Sequence, residues 1–345
     1  MVSAAALAVG CASANSAQPS GTTPHGANAE PAVPRDPVEL VVGAPESVLL
    51  TRAAELRGSP LFERWRPHLE RATCTSLGEW DDLLRATSRS VLASRSEGDG
   101  EAWLLVLDGS YADTDAERVL RAAVARTPRT TQPVPITVDR SGRFPISEDD
   151  VLAASLLERR VLVVGSRAWV RAALDRVARR AEPNAPGLAE LPLWRDVASE
   201  VRCTEQALCV LSAANGSGAR SLQRGLASAG ARPLGQQLMA ADSALALSVP
   251  AGAELRLSAR LPDASAADAA QRNLKDWLLQ VGLLTRLAGL PDVLTAAQVG
   301  TQGSALGAQL SVSEADLARY EERAGQLLAG AMASNCEGGT PAASP

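Results

Sequence analysis

From residue 39 onward the apolar positions recur in two rhythms, and the switch between them marks a repeated unit. Short stretches rich in Val, Leu and Ala with strand-like patterning come in pairs. Each pair runs into a longer stretch with apolar residues three and four apart, the spacing of a helix with one buried face. Residues 90–95 and 102–108 flank the turn-prone Glu97-Gly98-Asp99-Gly100 and precede a helix over 113–126. Residues 151–158 and 160–164 precede an arginine-rich helix over 167–180; the first of these strands has a short helix capped by Ser147 as its alternative. Residues 244–249 and 254–261 surround Pro250-Ala251-Gly252 and lead into a helix over 265–288. Residues 294–299 and 306–312 surround Gly300-Thr301-Gln302-Gly303 and lead into a helix over 314–332.

The helix starts carry their own signals. Thr114 and Glu117, Ser265 and Asp268, and Ser313 and Asp316 each have capping-box spacing, which satisfies the free amides of a first turn. A strand-plus-helix piece precedes each pair of units: 40–42 leads through Pro45 into a helix over 48–56, and 208–213 leads into one over 221–226. Pro60-Leu61-Phe62-Glu63-Arg64 before Cys74 echoes Pro192-Leu193-Trp194-Arg195-Asp196 before Cys203. The chain therefore reads as two related halves, 38–186 and 187–333, with a Gly/Pro/Ala-rich tail over 334–345. The expected fold is α+β in two layers: antiparallel strand pairs, each followed by a helix packed on one face.

Composition narrows the function. Hydrophobic residues make up 46% and charged ones 21%, enough for a packed core, while aromatics at 3% leave that core to Ala, Val and Leu. A net charge of −5 excludes a general nucleic-acid binder, which needs a basic face. The basic segment over 167–180 carries a stripe of Val170, Ala173, Leu174 and Val177, so Arg171, Arg176, Arg179 and Arg180 fall on a solvated face.

The amino terminus points to an address. Met1 to Gly10 form a short apolar, small-residue run that ends at Cys11. This run resembles the lipobox of bacterial lipoproteins. The resemblance implies a signal peptide over 1–10, cleavage positions at Ala8, Val9 and Gly10, and a Cys11 thiol that takes the diacylglycerol, with palmitate-type chains as the membrane anchor. Residues 12–37 are rich in Ser, Pro, Ala, Gly and Thr without apolar periodicity, which is the composition of a tether. Ala12, where the family often has an inner-membrane Asp, favours the outer membrane in a Gram-negative source. No run of transmembrane length follows. The expected location is exported and anchored in the cell envelope.

With Cys11 set aside, Cys74, Cys203, Cys209 and Cys336 remain, an even number that allows three pairings. Sequence proximity favours Cys203 with Cys209, leaving Cys74 with Cys336. A zinc site has little support, since there is no CxxC and the only histidines are His25 and His68. Nucleophilic catalysis has none either: GxSxG is absent, and Lys275, the single lysine, lacks an SxxK partner. Val161-Leu162-Val163-Val164-Gly165-Ser166 reads as a strand–helix junction because the further glycines of a dinucleotide fingerprint are missing. Asn215-Gly216-Ser217-Gly218 reads as a flexible turn, with an anion cradle as its alternative. Asp113, Asp115 and Glu117 alternate like calcium ligands but lack the glycine and terminal Glu of an EF-hand, so they read as acids at a helix start, and Glu148-Asp149-Asp150 reads as a comparable acidic turn. No catalytic residue, metal or cofactor is expected.

The segment 277–287 is apolar nearly all round. It reads as a buried central helix, or as one wall of a hydrophobic groove formed by Trp277, Leu278, Val281 and Leu284. The expected function is a non-catalytic, lipid-anchored envelope protein, structural or protein-interacting, whose partners are the membrane and an unknown protein or lipid. The alternative is a periplasmic carrier or sensor holding a hydrophobic ligand between sheet and helices.

Overall fold

The computed structural model describes residues 33–60, 62–64, 66, 81–97, 100–126, 135–178, 187–249, 252–320 and 322. Seven strands come from the first part of the chain: β1 (Ser47–Thr51), β2 (Thr87–Glu97), β3 (Gly100–Gly109), β4 (Thr137–Asp139), β5 (Ile146–Glu148), β6 (Leu152–Leu157) and β7 (Val161–Ser166). Five follow: β8 (Leu208–Ser212), β9 (Asp242–Ser248), β10 (Ala253–Arg260), β11 (Gln298–Gln302) and β12 (Ala305–Val312). All twelve form one sheet in the order β4-β5-β6-β7-β3-β2-β1-β8-β9-β10-β12-β11, and every neighbouring pair is antiparallel. Outward from the central β1–β8 pair, β2, β3, β7 and β6 on one side follow the same order as β9, β10, β12 and β11 on the other, and β5 and β4 extend the first side alone.

The helices with a bearing on the packing are α1 (Ala53–Arg57), α2 (Asp81–Ala86), α3 (Asp115–Arg126), α4 (Arg167–Val177), α5 (Ser217–Ser228), α6 (Arg232–Met239) and α7 (Ala264–Leu287). They do not lie on one face, which corrects the two-layer expectation. Trp169, Val170, Ala173 and Val177 of α4 pack on Ala153, Leu157, Val161 and Val163. Ala116, Val119 and Leu120 of α3 pack on Leu105, Leu152, Leu162 and Val164 on the opposite face. The run Val161-Leu162-Val163-Val164 is buried along its whole length because both of its faces are covered. Side chains directly opposite across a ladder share a face, so the register carries the α3 face from Leu105 through Leu92, Leu49, Val210 and Leu245 to Leu257. On that same face α6 and α7 close a third core through Leu234, Leu238, Ala267, Ala270, Leu274 and Leu278.

Three expected elements change. Residues 48–56 are not one helix: 47–51 form β1, and only Ala53–Arg57 turn helical. A short apolar run is ambiguous locally, and here pairing with strands on both sides decides it. Residues 40–42 are not a strand; Pro37–Leu40 is a 3₁₀ turn capped by Asp36, and Val42 makes a single bridge to Gly187. Residues 294–299 split into a 3₁₀ turn over Leu294–Ala296 and the start of β11, so Gly300 to Gln302 belong to the strand and the reversal falls at Gly303. Residues 151–158 do form a strand, β6. The predicted cap Ser313 accepts from the Asp316 amide at 3.1 Å, whereas α7 is capped by Asp263, not Ser265, through the Ala266 amide at 2.8 Å. The Pro60 and Pro192 segments occupy different places, one after β1 and the other before β8.

The joint between the two sides of the sheet is more than a ladder. The Glu46 carbonyl accepts from Ala213 N at 2.9 Å. Its carboxylate accepts from Ser217 N, at the start of α5, at 2.9 Å and from Ser96 Oγ at 3.0 Å, with Arg220 at 3.5 Å. The anion at the Asn215-Gly216-Ser217-Gly218 turn is therefore the protein's own. Two glycines make the approach possible: a Cβ on Gly218 would sit 2.8 Å from Ser212 Oγ, and one on Gly216 would sit 2.9 Å from the Glu46 carbonyl oxygen. Beside the joint, Cys203 and Cys209 form a disulfide with Cα atoms 5.3 Å apart, and both residues are buried. Cys74 and Cys336 lie outside the described residues.

Two outcomes follow from the joint. Burial pulls the Glu46 carboxyl up, but the hydrogen bonds from Ser217 and Ser96 and the charge of Arg220 outweigh it and hold the group below its ordinary range. A depressed folded pKa stabilises at neutral pH, and that contribution disappears as pH falls through the lowered value. Glu46→Gln should cost about 1 kcal/mol at pH 7, comparable to losing a helix cap, and converge with the unaltered protein in acid. Urea titrations at pH 7 and pH 3 check this; an equal gap at both would refute it. Removing the Cys203–Cys209 bond should cost roughly 2 kcal/mol, since the loop it closes is short. The measurement is the urea midpoint of Cys203→Ser/Cys209→Ser, and an unchanged midpoint would count against it.

Candidate functional site

α7 spans 24 residues, a length of about 36 Å. Ala267, Ala270, Leu274 and Leu278 recur three and four apart and face the sheet. Gly282 continues that line where the helix passes Asp292: a Cβ there would meet the Asp292 Oδ1 at 2.7 Å. The opposite side of the same helix ought to be polar, and over its last third it is not. Leu279, Leu283, Leu284 and Leu287 are 57%, 54%, 63% and 76% exposed. Leu279, Leu283 and Leu287 lie four apart and so form one ridge. Between Trp277 and Pro291 the only charged side chain is Arg286, and it is engaged with Asp292 at 2.9 Å.

The four residues expected to line a groove are placed differently from one another. Leu278 belongs to the core. Trp277 is half-buried and donates its indole N–H to the Ala229 carbonyl at 3.0 Å, tying α7 to the α5–α6 turn. Val281 is half-buried, and Leu284 stands in solvent. Leu279, Leu283 and Leu287 were absent from that set. Their signal was present in the all-round apolar composition of 277–287, which on its own predicts burial on every side.

The remaining chemical candidates serve the fold. Arg171 and Arg167 of the basic helix both engage Glu148, at 2.6 and 3.2 Å, and Arg176 reaches Glu190 at 3.7 Å; Arg179 and Arg180 lie outside the described residues. The hydrogen bonds and charge of Glu148 hold the Arg171 guanidinium above its ordinary value, with burial opposing. Asp149 accepts from the Val151 and Leu152 amides at 2.9 and 2.7 Å and so shapes the β5–β6 turn. Asp115 accepts from Ala112 N at 2.8 Å, completing the start of α3. Gly165 is required because a Cβ would fall 2.3 Å from the Trp103 carbonyl oxygen, a matter of strand packing rather than phosphate binding. Lys275 is exposed, and His25, His68 and Cys11 lie outside the described residues. Among the described residues no group of His, Cys, Asp and Glu has the arrangement of a metal site, and no helix is long and apolar enough to cross a membrane.

No protein-family model matches the chain, and no curated protein matches it in sequence. Solved structures do resemble it. They include three crystal forms of a protein designated TP0453: form III at 13% identity with a TM-score of 0.47, covering 84% of this chain and 98% of that one, form I at 14% and 0.44, covering 85% and 97%, and form IV at 12% and 0.43, covering 85% and 96%. At such identities and scores the likeness carries no conclusion about what this chain does.

Proposed function

We propose that this chain is a non-catalytic, lipid-anchored protein of the cell envelope, held through Cys11 on the tether over 12–37, with its α+β body serving as an interaction module. In this reading the body consists of two related halves joined at β1 and β8. The observation that carries the interaction role is the leucine ridge of α7. Four leucines at the end of one helix, more than half exposed, are more than scattered surface apolar residues, and contiguous patches of this kind mark contact sites. The anchor reading rests on the small-residue run ending at Cys11 and the tether behind it.

A second reading, a carrier of a hydrophobic ligand, has one observation in its favour. On the face that carries α3, α6 and α7, Leu245 of β9 is 43% exposed, and Leu49, Val210 and Leu257 along the same row are only half-buried. The space between sheet and α7 is the place such a ligand would occupy.

Three measurements test these readings. Intact mass of the mature chain should show the diacylglyceryl adduct on Cys11, and Cys11→Ser should move the protein out of the membrane fraction. A variant that stays in that fraction, or a mature chain without the adduct, overturns the anchor. Native mass spectrometry of protein extracted from its own membrane should show a protein partner that is lost in Leu283→Asp/Leu287→Asp, while circular dichroism confirms the fold. A co-purifying lipid in place of that partner selects the carrier reading.

A further inference from the structure

A second place, on the face that carries α3 and toward the β4 end of the sheet, has the marks of a ligand site. The hairpin turn between β6 and β7 is made by Glu158 and Arg159, with φ of +50° and +52°. Turns with two successive positive φ values normally use Asn-Gly, because side chains with a Cβ are disfavoured there. This one is held in place from several directions. Tyr111 N donates to the Arg159 carbonyl at 2.9 Å and Gly109 N to the Arg160 carbonyl at 2.8 Å. Glu158 pairs with Arg143 at 3.1 Å. Arg159 donates twice to Asp113, at 2.9 and 2.5 Å. Residues kept in a disfavoured backbone conformation concentrate where a side chain must be aimed.

The turn borders a cleft of about 390 Å³ between α3 and the β4–β5 hairpin. The volume lies within the range of small-molecule pockets, roughly 300–1,000 Å³. Ala116, Pro145, Leu156 and the 45%-exposed Val138 supply apolar surface, and Arg140 and Arg159 stand among the polar groups around it. The charges there do not cancel. Each lining carboxylate already has a cation: Asp113 has Arg159, Glu117 has Arg121 at 2.5 Å, and Glu158 has Arg143. Arg140 has no ion pair or hydrogen bond among the described residues. One uncompensated guanidinium therefore lines a partly apolar cleft, and a second lines it whose partner, Asp113, is an exposed carboxylate and so easily displaced.

We propose that this cleft binds an amphiphilic carboxylate, a single acid group on a short apolar body. Arg140 takes the head group, and Arg159 exchanges the Asp113 carboxylate for that of the ligand. The guanidinium fork suits this, since it holds a planar carboxylate through two parallel hydrogen bonds. The strained turn then fixes the height of Arg159 over the cleft. The site is independent of the α7 ridge and of the Cys11 anchor, and it stands or falls separately from them.

Isothermal titration of the folded chain with octanoate, and with acetate as the same head group without the apolar body, tests the assignment. Octanoate should bind saturably at one per chain, with acetate at least tenfold weaker. Arg140→Gln should weaken octanoate at least tenfold at unchanged Tm, and Asp113→Asn, which removes the competing carboxylate, should strengthen it severalfold. Arg159→Gly should raise Tm by relieving the turn while weakening octanoate. Absence of saturable octanoate binding, equal affinity for acetate, or an Arg140→Gln variant that binds like the unaltered protein would each overturn the site. A weaker Asp113→Asn variant, or an Arg159→Gly variant with full affinity, would overturn the exchange at Arg159.

Discussion

The antiparallel pairing of β1 with β8 is the constraint on which the rest of this structure depends. β1 is five residues long and is contributed by the first part of the chain, yet it has a neighbour from each part. Through it the ladder runs without a break across twelve strands, and the register at that one pair decides which side chains share a face across the whole sheet. A slip of one residue there would turn Leu49 and Val210 to the other face and separate the two helix-bearing cores. Glu46 and the glycines of the α5 turn lock the register from the end of the ladder. Backbone, carboxylate and helix start meet there at hydrogen-bond distance.

What could be read from the sequence follows from how local each determinant is. The apolar run Val161 to Val164 and the stretch over 254–261 were readable as strands, because a Val- and Leu-rich run bounded by turn residues is a local determinant. Ser313 with Asp316 is equally local and was readable as a cap. Ser47 to Thr51 was not, because five consecutive residues fit a strand or a helix and only partners from β2 and β8, remote in sequence, decide between them. The layer count failed for a related reason. Nothing within α3 or α4 states which side of the sheet it will occupy, and they occupy opposite ones.

The candidate sites show the same division. The apolar density of 277–287 could be seen in the sequence, but which leucines would face solvent depended on the direction in which α7 lies on β11 and β12. The cleft beside Arg140 was invisible. Arg140, Arg159 and Val138 are unremarkable in sequence and meet only because β4, β5 and β6 fold back beside α3. Arginine is abundant here, yet most of the guanidinium groups described engage the chain's own carboxylates. An unmatched one therefore carries more information than the total charge.

Among the described residues the sheet is open at both ends, and such a sheet must also stop growing. Its terminal strands are β4, three residues long, and β11, which reads Gln-Val-Gly-Thr-Gln. The first offers an incoming strand few free amides and carbonyls; the second offers a polar rim interrupted by glycine. Short, polar borders of this kind discourage edge-to-edge polymerisation. On the proposed membrane anchor such a body would meet copies of itself often, and with these borders such encounters have little tendency to become fibres.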